Sequence, residues 1–441
     1  MVMILRKSKL VVVLLAVLVV SLLPFNSVFA AKKVTIRVLN YLDASSPGAS
    51  REIIEVWQKF EADNPDILVI REDQFNEPFH HKTEAYAAAG KLPEVLYVWP
   101  GGRSSTLHEK KLLKDITPFL GDKRNDFIDA ALVPQAGGYL AMVPIGLTAS
   151  HAMYVNTALL EELNLKMPKT YQDLKEMVAP LKAVGKDVIV MGAQDDWVMQ
   201  SVLYSMIFGR IAGNEKVEQF IAGKAKFTDK VFVDTLKFYE QLFTDGVLSR
   251  KVMQTPYGEA PALFAAGKAP FMIDGDWRAS AFLTDPTTDQ ALIAPKDQKK
   301  VTITVFPAIP GEVNSGASSI VPAVGYAMSA HVKKGSAEEK AAWRLIEWLN
   351  SMEVQKLRLE TGAAFPTRKG VTSDRLEPLA QERAEFYGRI SGTYVLDDKI
   401  APEVCIPLNV GLQEIGMGLA TPEQVAQKVQ AAYDGWAKAK K

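Results

Sequence analysis

Short runs of apolar or alternating residues recur along the chain and predict β-strands. Residues 34–39 read Val-Thr-Ile-Arg-Val-Leu, so every second side chain can face a core. Comparable runs predict further strands at 68–70, 95–98, 153–156, 188–191 and 302–306. Most of these runs are followed by a turn or loop signal, which is typical of strands in an α/β protein.

Between these runs, apolar residues recur every three or four positions, which predicts amphipathic helices. Three helix starts have the spacing of a capping box: Thr170 with Asp173, Ser336 with Glu339, and Thr421 with Gln424. Strands and helices therefore alternate at short intervals. This order favours an α/β fold in which mainly parallel sheets are covered by helices.

The first thirty residues predict export. Arg6, Lys7 and Lys9 precede the apolar run 10–23, and Val-Phe-Ala ends at Ala30. This order is typical of a signal peptide, residues 1–30, cleaved after Ala30. A membrane anchor is the alternative, but a spanning helix needs about 20 apolar residues and this run is shorter. No cysteine follows the run as a lipid-attachment site, so we expect a free periplasmic protein.

Charge and cysteine content exclude several classes of function. The chain has 51 basic and 51 acidic residues, and removal of 1–30 takes away three basic ones, which leaves about −3. Such a balance predicts no nucleic-acid or membrane-surface binding. Cys405 is the only cysteine, which excludes an internal disulfide. His80 and His81 would point about 100° apart on a helix, so no metal site is predicted.

The length predicts two units. About 410 mature residues exceed what one hydrophobic core usually supports. No Gly/Ser-rich or Pro-rich linker divides the chain. Two lobes joined by several short crossings are therefore expected, an arrangement that lets a cleft open and close.

The segment 263–277 is the most informative stretch of the chain. It predicts a helix end at Gly267, a short strand, and a tight Asp-Gly-Asp turn that leaves Trp277 at the end of the strand. In open α/β sheets, ligands bind beyond the carboxyl ends of the strands. Trp277 is therefore a candidate ligand platform.

The same segment resembles a marker of the extracellular solute-binding proteins that feed ATP-driven sugar importers, the maltose-binding-protein-like solute-binding family 1. Two other stretches are similar to markers of that family. One is the order Tyr154-x-Asn156, short helix, Pro168-Lys-Thr170. The other is Val-Gly-Tyr-Ala-Met-Ser at 324–329, then a helix and Gly-Ala-Ala-Phe-Pro at 362–366, which resembles the family's Gly-x-x-Pro close. The three markers occur in the family's order and cover nearly the whole mature chain.

This resemblance implies a two-lobed periplasmic-binding fold with the ligand cleft between the lobes. The amino-terminal lobe would hold residues 31–145 and 308–364, and the carboxyl-terminal lobe would hold 146–307 and 365–441. Three crossings between the lobes are expected near 144–148, 305–308 and 362–368.

Sugar recognition needs aromatic faces for the C–H side of a pyranose and planar polar groups for its hydroxyls. Trp277 fits the first role, and a core residue is the alternative. Trp99 and Arg103 follow the strand 95–98, where relatives place an aromatic and polar loop facing the sugar. Tyr41 and Asp43 leave the first strand in the same way, although Asp43 also suits a simple turn.

Four further residues are candidates with a structural alternative. Asp195 and Trp197 follow the strand 188–191 and suit hydroxyl binding, whereas Asp196 suits a helix N-cap. Asp276 frames Gly275 together with Asp274, and turn formation explains at least one of these two carboxylates. Arg368 could bind a carboxylate or a hydroxyl pair, or form an interlobe salt bridge. The candidates are thus Asp195, Trp197, Asp276 and Arg368.

The leading hypothesis is a receptor that binds a mono- or oligosaccharide and delivers it to a permease, and not an enzyme. The resemblance implies transmembrane permease subunits and a cytoplasmic ATPase as partners of a monomeric protein without cofactor or metal. A same-fold receptor for a polyamine or another small solute is one alternative. A secreted glycoside hydrolase with two carboxylates is another.

Overall fold

Two β-sheets organise the described residues of this computed structural model, 33–44, 49–285, 288–322 and 324–439. The predicted signal peptide, residues 1–30, lies outside them. In chain order the strands are β1 Val34–Tyr41, β2 Ile67–Gln74, β3 Val95–Val98, β4 Met142–Pro144, β5 Leu147–Thr148, β6 Ala152–Asn156, β7 Ile189–Val190, β8 Phe271–Asp274, β9 Val301–Thr304, β10 Ala317–Ser318, β11 Val321–Pro322, β12 Gly325–Met328 and β13 Ser391–Gly392.

The first sheet has the order β2-β1-β3-β12-β4 and the second has the order β7-β8-β6-β9. In each of these two sheets all strands but one run in the same direction, in agreement with the expectation of mainly parallel sheets. The antiparallel pairings within them all involve β12 or β6. Each of these two strands begins where the chain enters its lobe from the other one, so it starts at the cleft and runs away from it. The other strands run towards the cleft.

The longer α-helices of the described chain cover these sheets. They are α1 Glu77–Ala88, α2 Tyr171–Ala183, α3 Ser205–Ala212, α4 Asn214–Ile221, α5 Lys230–Thr244, α6 Ala337–Leu349, α7 Met352–Glu360, α8 Pro378–Phe386, α9 Pro402–Met417 and α10 Pro422–Ala439. A further helical stretch runs through Ala49–Arg51, Glu52–Gln58 and Lys59–Asp63, with a π-helical middle. None of the helices in the described ranges is long and apolar enough to cross a bilayer.

Predicted helix starts correspond to observed capping bonds. The Thr170 hydroxyl accepts the Asp173 N–H at 3.2 Å, and the Asp173 carboxylate accepts the Thr170 N–H at 2.9 Å. Thr421 and Gln424 exchange the same pair of bonds before α10. Ser336 caps α6, but the Glu339 carboxylate accepts the Gly335 N–H instead of completing the box. The capping signals in the sequence therefore located these helix starts.

Each sheet has its own hydrophobic core. In the first lobe, Trp57, Phe60 and Phe79 are buried against the first sheet. In the second lobe, a larger core surrounds the second sheet and includes Tyr204 and Phe208. Two smaller clusters each lie within one lobe, one on the second sheet and one beside β4, and within the described part of the chain no cluster of buried residues spans both lobes. This separation agrees with the two lobes expected from chain length.

The joint between the lobes contains the short antiparallel pair β5 and β11, with Val321 opposite Thr148. Leu147 of β5 also forms a bridge with Phe365. Three passages of the chain, at β4 to β5, at β11, and at Phe365, thus meet at this joint.

Residues 308–320 differ from the sequence expectation. Ala308 forms a bridge with Thr170, and the buried Arg210 guanidinium donates to the carbonyl oxygens of Phe306 at 2.7 Å and Ala317 at 3.0 Å. A buried guanidinium needs such acceptors, and it keeps this segment on the second lobe. We therefore propose that the middle crossing lies at β11, after residue 320, whereas the sequence predicts it near 305–308. We accordingly propose lobes of about 33–145 with 324–369, and about 146–320 with 370–439, because residues 367–369 bond to Gln355 and to residues 126–128 of the first lobe.

Burial of His151 near the joint makes stability depend on pH. Its Nδ1 accepts the Ser319 N–H at 3.2 Å. Burial, followed by the charge of Arg210, lowers the pKa of His151 from 6.5 to about 3. Below pH 6.5 the unfolded chain binds a proton at His151, whereas the folded chain does not bind it until the pH approaches 3. The contribution of neutral His151 to the free energy of unfolding is therefore complete above pH 6.5 and is lost as the pH falls towards 3.

We expect acidification from pH 7 to pH 4 to lower the free energy of unfolding through His151 by on the order of 2–3 kcal/mol. The variant His151→Gln cannot titrate and should lose correspondingly less. Urea unfolding of both proteins at the two pH values measures the difference. The same pH dependence in both would contradict this assignment.

Candidate functional site

A cavity of about 350 Å³ lies between the two lobes. This volume falls at the lower end of the range for small-molecule sites, about 300–1,000 Å³. Residues from the ends of β1 and β3, from the segment after β8, and from the joint line it. The structure brings six predicted site residues together there: Tyr41, Asp43, Trp99, Arg103, Trp197 and Trp277.

The wall on the first lobe is aromatic. Tyr41, at the end of β1, stacks on Tyr97 of β3 with ring centroids 5.4 Å apart. Trp99 meets the edge of Tyr41 at 5.3 Å and His80 of α1 at 4.7 Å. Burial, followed by the charge of Arg103, lowers the pKa of His80 to about 3. The His80 ring is therefore neutral at pH 7, and this wall offers π faces without a histidine charge.

The wall on the second lobe consists of Trp277, Tyr257 and Trp197. The Trp277 indole N–H donates to the Tyr257 hydroxyl at 2.7 Å, and this hydroxyl donates to the Asp274 carboxylate at 3.1 Å. Trp197 meets Tyr257 edge to face at 5.0 Å. Because the Trp277 N–H already has a partner, its ring face is the part available to a ligand.

Gly275 explains why the turn before Trp277 reads Asp-Gly-Asp. A Cβ at this position would overlap the six-membered ring of the Trp277 indole. The glycine backbone therefore packs on one face of the indole, which leaves the other face and the ring edge towards the cavity.

Arg278 and Asp274 hold this wall in place. The Arg278 Nε donates to the Asp274 carboxylate at 3.0 Å, and the guanidinium lies 3.8 Å from the centroid of the Tyr257 ring. Burial raises the pKa of Asp274, against the opposing effect of Arg278. The pair holds Tyr257, and through it the Trp277 indole, in one orientation.

Polar side chains complete the lining. Arg103 donates to Glu77 at 3.2 Å and lies 3.7 Å from the Asp397 carboxylate of the second lobe. Asp43, Asp397 and Asp398 also line the cavity. Carboxylates and a guanidinium suit the paired donors and acceptors of sugar hydroxyls.

Three predicted site residues do not line the cavity. The Asp276 carboxylate is completely buried and accepts bonds from Arg383 Nε at 2.7 Å and the Tyr387 hydroxyl at 2.7 Å. Arg368 pairs with Asp126 in the first lobe. Asp195 lies at the rim of the cleft, close to the amide of Asn76. At this turn the Asp276 side chain points into the protein, whereas its neighbour Trp277 faces the cavity. The role of Asp276 is therefore structural.

The sequence analysis missed several lining residues, notably Tyr257, Arg278, His80, Asn76 and Asp397. Arg278 directly follows Trp277 and could have been included on that ground. Tyr257 and Asp397 come from loops that no strand pattern connects to the cleft. Within the described ranges, no group of three or more His, Cys, Asp or Glu side chains could hold a metal ion.

The two lobes touch closely beside the cavity. Gly102, in the loop after β3, packs on the backbone of the second lobe, and a Cβ there would overlap the carbonyl oxygens of Asp397 and Ile400. Gly101 approaches Asp398 in the same way. The structure is therefore that of a closed cleft.

We expect Gly102→Ala to prevent this closure, because the clash is with backbone that cannot rotate away. Ligand affinity should fall by tenfold or more, about 1.4 kcal/mol, while thermal stability without ligand changes little. Calorimetric titration of the variant and of Gly388→Ala, at a glycine with open space around it, measures the effect. Equal affinities in the two variants would argue against closure at this contact.

A model of the family described as bacterial extracellular solute-binding protein matches residues 55–384. The chain belongs to this family. The multiple sugar-binding protein of Streptococcus mutans is 24% identical over 333 residues, which are 74% of each chain. The resemblance inferred from the three sequence markers is thereby confirmed at the level of the family.

Solved structures share the fold. A chitin oligosaccharide binding protein is 23% identical, with a TM-score of 0.80 over 93% of this chain and 100% of its own. Maltose-bound MalE3 of T. maritima is 21% identical, with a TM-score of 0.71 over 90% of this chain and 98% of its own. The predicted two-lobed fold is confirmed, with mixed sheets in place of mainly parallel ones.

Proposed function

We propose that this protein is the periplasmic substrate-binding component of an ATP-driven importer and that it binds a mono- or oligosaccharide in the interlobe cavity. The observation that carries the proposal is the placement of Trp99 and Trp277 on different lobes but on one cavity. Two indoles can cover the apolar faces of a pyranose, while Arg103 and the nearby carboxylates bind its hydroxyls.

Three further points support a saccharide. The charged groups of the lining include two arginines and three aspartates, of which Arg103 and Arg278 are paired with carboxylates. This near balance suits a neutral ligand. The relatives named above are a sugar-binding protein, a chitin oligosaccharide binding protein and a maltose-bound protein. Sugar binding also needs no catalytic group, in keeping with a family of binding proteins.

In this proposal the ligand bridges the two lobes and stabilises the closed state, because contacts with both walls exist only there. The closed receptor is then recognised by the transmembrane permease subunits, which are coupled to a cytoplasmic ATPase. The protein would be a monomer, exported by the signal peptide 1–30 and free in the periplasm.

A thermal-shift panel tests the proposal, because a ligand that binds only the folded state raises the apparent melting temperature. The panel should contain monosaccharides, chito- and malto-oligosaccharides, polyamines and amino acids. We expect at least one sugar to raise the melting temperature and the polyamines to leave it unchanged. A shift by a polyamine alone, or turnover of a glycan at catalytic amounts of protein, would overturn the proposal.

A further inference from the structure

Asn76 has an unusual backbone conformation at the mouth of the cavity. Its φ of 56° and ψ of −144° lie near a region that essentially only glycine populates. It occupies the N-cap of α1, yet its side chain caps no backbone N–H, although asparagine is among the best capping residues. The strained backbone therefore directs this side chain elsewhere.

The Asn76 side chain points across the cleft to the other lobe. Its Oδ1 accepts the Trp197 indole N–H at 3.1 Å. The Asp195 carboxylate, two residues before Trp197, also lies close to the Asn76 amide. Both contacts join a first-lobe residue to the segment that follows β7 of the second lobe, so they exist only when the lobes are closed.

Trp197 lines the cavity, and its ring is fixed from both lobes. On its own lobe it packs edge to face on Tyr257. From the first lobe the Arg103 guanidinium lies 5.9 Å from its ring centroid, and Asn76 holds its N–H. The orientation of this ring therefore depends on a residue that lies on the opposite side of the cleft.

We propose that Asn76 is a positioning residue that latches Trp197 across the cleft and thereby sets the closed population of the receptor. The proposal rests on the proposed function in so far as the latched ring forms one wall of the sugar site. A contact present only in the closed state raises the closed population even without ligand. It also slows ligand release, because the lobes must separate before the ligand can leave.

Two substitutions separate the latch from the backbone strain. Asn76→Ala removes the side-chain contacts and keeps the strain, whereas Asn76→Gly removes both. Each should weaken ligand binding about fivefold to tenfold, the value of one or two hydrogen bonds, mainly through a faster dissociation rate. Asn76→Gly should melt at a higher temperature than Asn76→Ala. Asn164→Ala, at another asparagine with positive φ but on the surface, is the matched control.

The closed population can be measured without ligand. The substitutions Lys110→Cys and Lys224→Cys provide one site for a spin label on each lobe. Double electron–electron resonance between the two labels reports the interlobe distance, and Cys405 is buried and stays unlabelled. We expect Asn76→Ala and Asn76→Gly to shift the distance distribution towards the open state and Asn164→Ala to leave it unchanged. This readout does not require a sugar, so it tests the latch even if the proposed function fails.

A double-mutant cycle with Trp197→Phe separates the latch from a direct ligand contact by Asn76. Phenylalanine keeps a ring but has no N–H to donate. If Asn76 acts through Trp197, the losses in affinity from the two substitutions are not additive. Additive losses, or an unchanged ligand-free distance distribution in Asn76→Ala, would overturn the proposal.

Discussion

Replacing Asp276 with alanine is expected to lower the free energy of unfolding by about 3–5 kcal/mol. The substitution leaves the Arg383 guanidinium buried without its carboxylate, and both side chains are almost completely buried, at 0% and 2% exposure. It also removes the acceptor of the Ala149 N–H and one of two acceptors of the Tyr387 hydroxyl, the other being the Leu147 carbonyl oxygen. Chemical denaturation monitored by circular dichroism measures the loss.

The matched control for Asp276→Ala is Asp126→Ala, which breaks the pair with Arg368. Asp126 is 46% exposed, so water can replace its partner. We expect a loss below about 1 kcal/mol there. If Asp276→Ala were no more destabilising than Asp126→Ala, the buried pair would not have the structural role assigned to it.

Replacing Trp277 with alanine is expected to weaken sugar binding by about 30-fold or more, or ~2 kcal/mol. The indole forms the second-lobe wall of the cavity, and its N–H already binds the Tyr257 hydroxyl, so the lost contribution is that of the ring face. Trp277→Phe keeps an aromatic face and should lose much less. Titration calorimetry of the three proteins with the same sugar provides the comparison.

The stability of Trp277→Ala distinguishes a binding residue from a core residue. Trp277 is only partly buried, so we expect a loss well below the 3–5 kcal/mol typical of a fully buried tryptophan. A large loss of stability with unchanged affinity for sugar would show that Trp277 is a core residue and not a binding residue.

The strand ends could be predicted from the sequence because local patterns define them. Tyr41 ends β1, and Trp99 and Trp277 follow β3 and β8. Strands that run towards one edge of a sheet bring the residues at their ends to the same place. This rule located both aromatic walls without knowledge of the relative position of the lobes.

Side-chain direction within a turn could not be predicted in the same way. Asp276 and Trp277 are neighbours, but one binds buried Arg383 and the other lines the cavity. The partner of Asp276 lies more than a hundred residues away in sequence and leaves no trace in the local pattern. The salt-bridge partner of Arg368, Asp126, lies even further away, at 242 residues in sequence.

Two other features depend on long-range contacts. They are the middle crossing between the lobes and the contact of Asn76 with Trp197. The sequence predicts a strand at 302–306, but it does not show that the Arg210 guanidinium donates hydrogen bonds to the carbonyl oxygens of Phe306 and Ala317, which keep the following residues on the second lobe. Nothing in the sequence around Asn76 indicates its positive φ or its hydrogen bond with Trp197. Both are visible only in the structure.

The proposed sugar site can be tested by a crystal structure of the protein with the sugar that most raises its melting temperature. We expect one saccharide in the interlobe cavity, with a ring face within about 4.5 Å of the Trp277 indole and a second contact with Trp99. A sugar bound outside this cavity, or an empty cavity at saturating sugar, would contradict it.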